Sequence, residues 1–184
     1  MRKLLIVVDM QNDFVTGALR NEEAIAIVPT VVEKIRAAKE AGTEVIFTRD
    51  THFEDYMETE EGRNLPVPHC LKGTEGWEII DELKAFAEEA KIFDKVTFGA
   101  RELGAYLAEE NEAEKIDEVE LIGICTDICV ISNALLTKAF LPNIPMAVDA
   151  ACCAGVTPAT HKTALDAMKM CQIQVTNYPE QPEE

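Results

Sequence analysis

Leu4-Leu5-Ile6-Val7-Val8 is an unbroken aliphatic run that stops at Asp9. A strand with one wet face alternates polar and apolar residues. A continuous run belongs to a strand buried on both faces, the mark of a parallel sheet with helices on either side. The rest of the chain fits that constraint. From Glu22 to Ala41, the residues Ile25, Ile27, Val28, Val31, Val32, Ile35 and Ala38 recur at helical spacing. Gly42 ends that segment, and Glu44–Thr48 follows as a strand. A helix over Trp77–Ala90 leads to a short strand ending near Lys95, and a helix over Ala100–Asn111 leads to a strand at Val119–Ile124. A helix reaching Ala139, a strand at Pro145–Asp149, a helix at Ala159–Met170 and a strand at Gln172–Val175 complete the pattern. The alternation predicts one α/β domain, a three-layer α/β/α sandwich around a central, mostly parallel six-stranded sheet. It occupies residues 1–178, with 179–184 as a frayed acidic tail.

Three chemically useful side chains follow strands in this scheme. Asp9 closes the first, at the end where open α/β sheets build their sites. Lys95 closes the third. After the fourth comes Gly123-Ile-Cys-Thr-Asp-Ile-Cys-Val130, where Thr126 or Asp127 is placed to cap a helix and Cys129 falls in its first turn. Unpaired N–H groups and the macrodipole favour a thiolate there, and a thiolate is a nucleophile. The alternative for Cys129 is a small buried hydrophobe.

Composition narrows the partners. A net charge of −17 argues against nucleic acid or an anionic membrane, both of which need basic patches. No run of about 18 uncharged apolar residues offers a membrane span. Six cysteines without a leader-like segment point to a reducing cytoplasm rather than a disulfide framework. The acidic clusters, Glu54–Glu61 among them, read as solvated faces and loops.

Taken together, Val8-Asp9-Met10-Gln11-Asn12-Asp13-Phe14, Asp50-Thr51-His52, Pro68-His69-Cys70-Leu71-Lys72-Gly73, Lys95 before Thr97-Phe98, and the Cys125–Cys129 segment resemble the isochorismatase-like cysteine hydrolases, most of all the nicotinamidases. The resemblance runs the length of the chain in the family's order. It implies an Asp9–Lys95–Cys129 triad, with Cys129 as nucleophile, Asp9 as general acid and base, and Lys95 stabilising the thiolate. It also implies a cis peptide at Ile124–Cys125, with the backbone N–H groups of Cys125 and Cys129 forming an oxyanion hole. Sequence alone never suggests such a bond.

Two of the three histidines lie in the long loop 49–75, and long ordered loops tend to be functional. The resemblance makes Asp50, His52 and His69 the ligands of a divalent metal, zinc first, with manganese or iron as alternatives. The metal is expected to hold the substrate's ring nitrogen while the triad makes its own thiolate. Phe14, Phe98 and Tyr56 are the expected pocket walls. Thr51 and Ile128 stand where nicotinamidases usually carry aromatics, and Leu65-Pro66-Val67-Pro68 lacks another. His161 reads as a surface residue. The expected activity is hydrolysis of nicotinamide to nicotinate and ammonia through a Cys129 thioester. The alternatives are an amidase for another small amide or carbamoyl compound, or a non-catalytic binding protein on the same scaffold. The expected partners are a small amide and a second copy of the chain, as a homodimer or larger assembly.

Overall fold

A computed structural model describes residues 1–178; the tail at 179–184 lies outside the described residues. Six strands form one sheet: β1 (Lys3–Val8), β2 (Glu44–Asp50), β3 (Lys91–Lys95), β4 (Glu118–Ile124), β5 (Met146–Ala154) and β6 (Gln174–Thr176). Their order is β3-β2-β1-β4-β5-β6, and every neighbouring pair is parallel. The aliphatic run reads out as expected: Leu4 to Val8 are all buried, because helices cover both faces of the sheet.

The helices are α1 (Asn12–Val15), α2 (Glu22–Glu40), α3 (Glu60–Asn64), α4 (Asp81–Glu88), α5 (Arg101–Ala113), α6 (Ile131–Phe140) and α7 (Pro158–Met170). Asn21 caps α2 by accepting the Glu23 amide hydrogen at 2.9 Å, and Ala24, Val28, Val31 and Ile35 form its buried stripe. A reciprocal Thr157–Thr160 box opens α7, with Pro158 at its first position. Among the described residues no helix is long and apolar enough to cross a membrane.

The strand order places the site. The chain steps outward from β1 to β3, then returns to lay β4 on the other side of β1. A crevice opens where the direction reverses, beyond the carboxyl ends of β1 and β4. Asp9 leaves one of those ends and Cys125 the other. At this point Gly123 takes φ +117°, and a Cβ there would stand 2.1 Å from the Val8 carbonyl oxygen. Only glycine allows the two strands to approach so closely.

Three expected boundaries move. The helix expected over Trp77–Ala90 contracts to Asp81–Glu88, because residues 78–80 are extended and docked on the exit of β1. There Asn12 donates to the Glu78 carbonyl and Ile80 to that of Met10, each at 3.0 Å. β5 runs on to Ala154, following a register shift against β4 between Leu121 and Gly123. The helix expected to begin near Thr126 starts instead as a π-helical turn, Thr126–Val130, before α6.

Candidate active site

Asp9 has φ +49°, a left-handed conformation that aspartate tolerates better than most residues. It turns the carboxylate into the crevice, fully buried. Its Oδ1 accepts the Thr48 hydroxyl at 2.6 Å. Its Oδ2 lies 2.7 Å from Lys95 Nζ, yet in a charge contact rather than an aligned hydrogen bond, so this oxygen keeps an open lone pair. Lys95 is buried at the end of β3, with Nζ donating to Cys129 Sγ at 3.4 Å and to Asp50 Oδ1 at 3.1 Å. The structure thus brings Asp9, Lys95 and Cys129 together.

Cys129 sits on the π-helical turn rather than in the first turn of an α-helix, and neither Thr126 nor Asp127 caps it. The Asp127 carboxylate instead accepts the Val156 amide. Burial works against the thiolate expected at Cys129, and Lys95 works for it. Burial pushes the Cys129 thiol well up; Lys95 pulls the other way, but Asp9 and Asp50 add to the rise. Burial raises Asp9 as well, against the pull of Lys95. Burial opposes the Lys95 charge, but Asp9, Cys129 and Asp50 outweigh it and hold the ammonium firmly protonated. The peptide Ile124–Cys125 is cis. Burial pushes the Cys125 thiol up to about 12.

Asp50, His52 and His69 meet beside the triad, and Glu61 joins them; one donor atom from each lies within 4.8 Å of the others. Asp50 Oδ2 is 2.9 Å from His52 Nε2 and 3.5 Å from His69 Nε2, while Glu61 Oε1 is 3.7 Å from both nitrogens. Bonds of about 2.0–2.2 Å to a five-coordinate centre set neighbouring donor atoms roughly 2.8–3.8 Å apart, so the spacing fits a divalent cation with one position left for a further ligand. His69 Nδ1 faces the Val67 carbonyl at 2.8 Å, which assigns the proton to Nδ1 and leaves Nε2 as the donor atom. Burial works against a carboxylate at Asp50, but its pairing with the two histidines, which are donors to it when no cation takes their Nε2 atoms, and the Lys95 charge keep it well below its ordinary range.

Sequence reading missed Glu61, which looked like one more acid in the run Glu54–Glu61; α3 turns it inward. Gln11 was also missed. Its amide bonds the backbone of Asp50 in both directions, with Oε1 accepting at 2.7 Å and Nε2 donating at 2.8 Å. His161 is half-buried rather than at the surface, its Nδ1 paired with the buried Thr126 hydroxyl at 2.7 Å. Phe14 and Phe98 line the cavity above Cys129, as expected. Tyr56 does not. It is buried behind the histidines, with its ring against both of theirs and its hydroxyl donating to the Leu65 carbonyl at 2.8 Å.

Comparison with known proteins gives a coherent set. Residues 3–179 match the isochorismatase domain. A nicotinamidase/pyrazinamidase of Mycobacterium tuberculosis is 27% identical over 190 residues, covering 94% of this chain and 97% of its own. The crystal structure of a nicotinamidase/pyrazinamidase from Bacillus subtilis matches with a TM-score of 0.83 and 31% identity, over 96% of this chain and 100% of that one. A pyrazinamidase of Pyrococcus horikoshii, solved in complex with zinc, matches with a TM-score of 0.80 and 33% identity, over 96% and 99%.

Proposed function

This chain belongs to the isochorismatase domain family, and from that premise we propose that it is a nicotinamidase-like amidohydrolase, converting nicotinamide to nicotinate and ammonia. The observation that carries the reading is one buried ammonium, Lys95 Nζ, standing 2.7 Å from Asp9 Oδ2 and 3.4 Å from the Sγ of Cys129, which lines the floor of a cavity. A binding scaffold has no use for that arrangement.

In this mechanism Asp9 Oδ2 takes the thiol proton as Sγ attacks the amide carbonyl carbon, so the thiolate forms only as it is consumed. The backbone N–H groups of Cys125 and Cys129 are the donors we assign to the oxyanion. Lys95 balances the negative charge that passes between Asp9 and Cys129. As the tetrahedral adduct collapses, the C–N bond breaks and Asp9 returns the proton to the departing nitrogen, leaving a thioester and ammonia. Water then gives a proton to Asp9 and adds its oxygen to the thioester carbonyl. The C–S bond breaks, Asp9 returns its proton to Cys129, and the acid leaves, giving its proton to water as nicotinate. A divalent cation, zinc by our reading, held by Asp50, His52, Glu61 and His69, supplies when bound a Lewis-acid anchor for the pyridine nitrogen. Phe14 and Phe98 face the ring. The free cysteines support a reducing, cytoplasmic setting in the same proposal.

The test is ammonia release from nicotinamide by the purified protein and by its Cys129→Ala variant. Wild type is expected to turn over and the variant to lose at least about 10³-fold, since the nucleophile is gone. Comparable release by the variant would rule the mechanism out.

A further inference from the structure

The cavity above Cys129 has a volume of about 470 Å³, within the roughly 300–1,000 Å³ range of pockets that enclose drug-sized ligands. A bare pyridinecarboxamide is about the size of a tryptophan side chain, and even with a cation beside Asp50, Glu61 and His69, which also line the cavity, it leaves space unfilled. The burial of the walls gives the cavity a direction. Cys129, His69 and Asp50 are buried and form its floor, whereas Arg20, Glu22 and Val156 are exposed and form its mouth. Half-buried Leu19 and Ile128 stand between them, buried Ala24 adds to the floor and exposed Leu65 to the mouth.

The polar groups at the mouth are already engaged. Arg20 donates through Nε and Nη2 to Glu22 Oε1, at 3.1 and 2.7 Å, so the two charges cancel locally. The Asn21 carbonyl oxygen accepts from the Glu23 amide and its Nδ2 donates to the Gly155 carbonyl. The outer half therefore offers apolar surface and no unpaired charge. A substituent lodged there is recognised by burial alone, and a net charge of −17 on the chain disfavours an anionic one.

We propose that the outer half of this cavity is a subsite for an uncharged apolar substituent, and that the preferred substrate is a ring-substituted heteroaromatic carboxamide rather than nicotinamide itself. This rests on the function proposed above. With the ring nitrogen toward the histidine pole and the carboxamide carbon at Sγ, the 5-position of the ring points away from both. We assign a short alkyl chain at that position to the side of the cavity lined by Leu19 and Val156.

The experiment compares nicotinamide, 5-propylnicotinamide and 5-carboxynicotinamide on the metal-loaded enzyme, with calorimetric binding of each to the Cys129→Ala variant as a second readout. Burying one methylene is worth about 0.8 kcal/mol, or roughly fourfold. The propyl compound is therefore expected to exceed nicotinamide by about tenfold or more in kcat/KM and to bind more tightly to Cys129→Ala. Leu19→Trp and Val156→Trp, which narrow the outer half from two sides, are each expected to reduce that advantage. If nicotinamide is hydrolysed and the propyl compound is no better, the subsite is refuted while the amidase function stands. An advantage untouched by both tryptophan variants, or a preference for the carboxylate, also overturns it. If none of the three is hydrolysed or bound, the function falls and this inference with it.

Discussion

His161 shows how one contact alters the reading of a residue. At the sequence level it is a lone histidine near a helix start. In the structure its ring is paired with the Thr126 hydroxyl on the turn that carries Cys129. Burial lowers its pKa below 6.5, against the opposing charges of Asp127 and Glu23. A group that binds its proton more weakly when folded costs stability as pH falls through its unfolded value. The melting temperature of the wild type is therefore expected to fall between pH 7 and pH 5 relative to His161→Gln, which can still accept the Thr126 hydrogen bond. Above pH 7 the gap is expected to stay constant, and parallel curves across the whole range would refute this. Glu61 escaped sequence reading for a related reason: nothing in Glu58, Glu60 and Glu61 distinguishes the one that will be turned inward. That is decided by the Thr59 cap of α3 and by Gly62, where a Cβ would stand 2.0 Å from the Tyr56 carbonyl oxygen. Asp9, Lys95 and Cys129 were legible because each closes an apolar run or its short extension.

Among the elements, those with a strong period were readable and those shaped by their neighbours were not. The stripe of α2 and the aliphatic β1 follow from local pattern. A π-helical turn draws on the same residues as an α-helical one, so the start of α6 could not be read from propensity. The extension of β5 and the loss of the first turn of α4 both depend on partners far away in sequence. Gly123 is the tightest of these joints. Gly123→Ala puts a methyl group into the Val8 carbonyl at a backbone conformation hostile to side chains, and is expected to cost about 3 kcal/mol or more by urea denaturation. A loss under about 1 kcal/mol would show that β1 and β4 can separate at no great cost.

Over the molecule as a whole, the single sheet and its parallel order followed from alternation, whereas the point where strand order reverses became visible only once all six strands were placed. Its flank is held by Asp149, buried on β5, which accepts from Lys34 at 2.9 Å, from Asn177 at 2.9 Å and from the Ala151 amide at 3.1 Å. Burial opposes the charge, but these bonds win and depress its pKa below 3.8. Stability from this group is present above the ordinary carboxylate value and is lost as pH falls through the depressed one. Asp149→Asn should therefore cost about 2 kcal/mol near neutrality, roughly 4–8 °C in Tm, and the gap should close in strong acid. A gap independent of pH would assign the loss to packing instead. Asp50 joins the two clusters, because one of its oxygens faces Lys95 and the other His52. The separate duties expected for metal and triad thus share a carboxylate, and thermodynamic reciprocity applies to them. A cation that draws charge from Asp50 eases ionisation of Cys129, so chelation is expected to slow alkylation of that thiol. By the same factor that a bound cation favours ionisation of Cys129, ionisation of Cys129 must tighten the cation, and unequal factors from thiol titrations with and without cation and from cation affinities on either side of that titration would break the link.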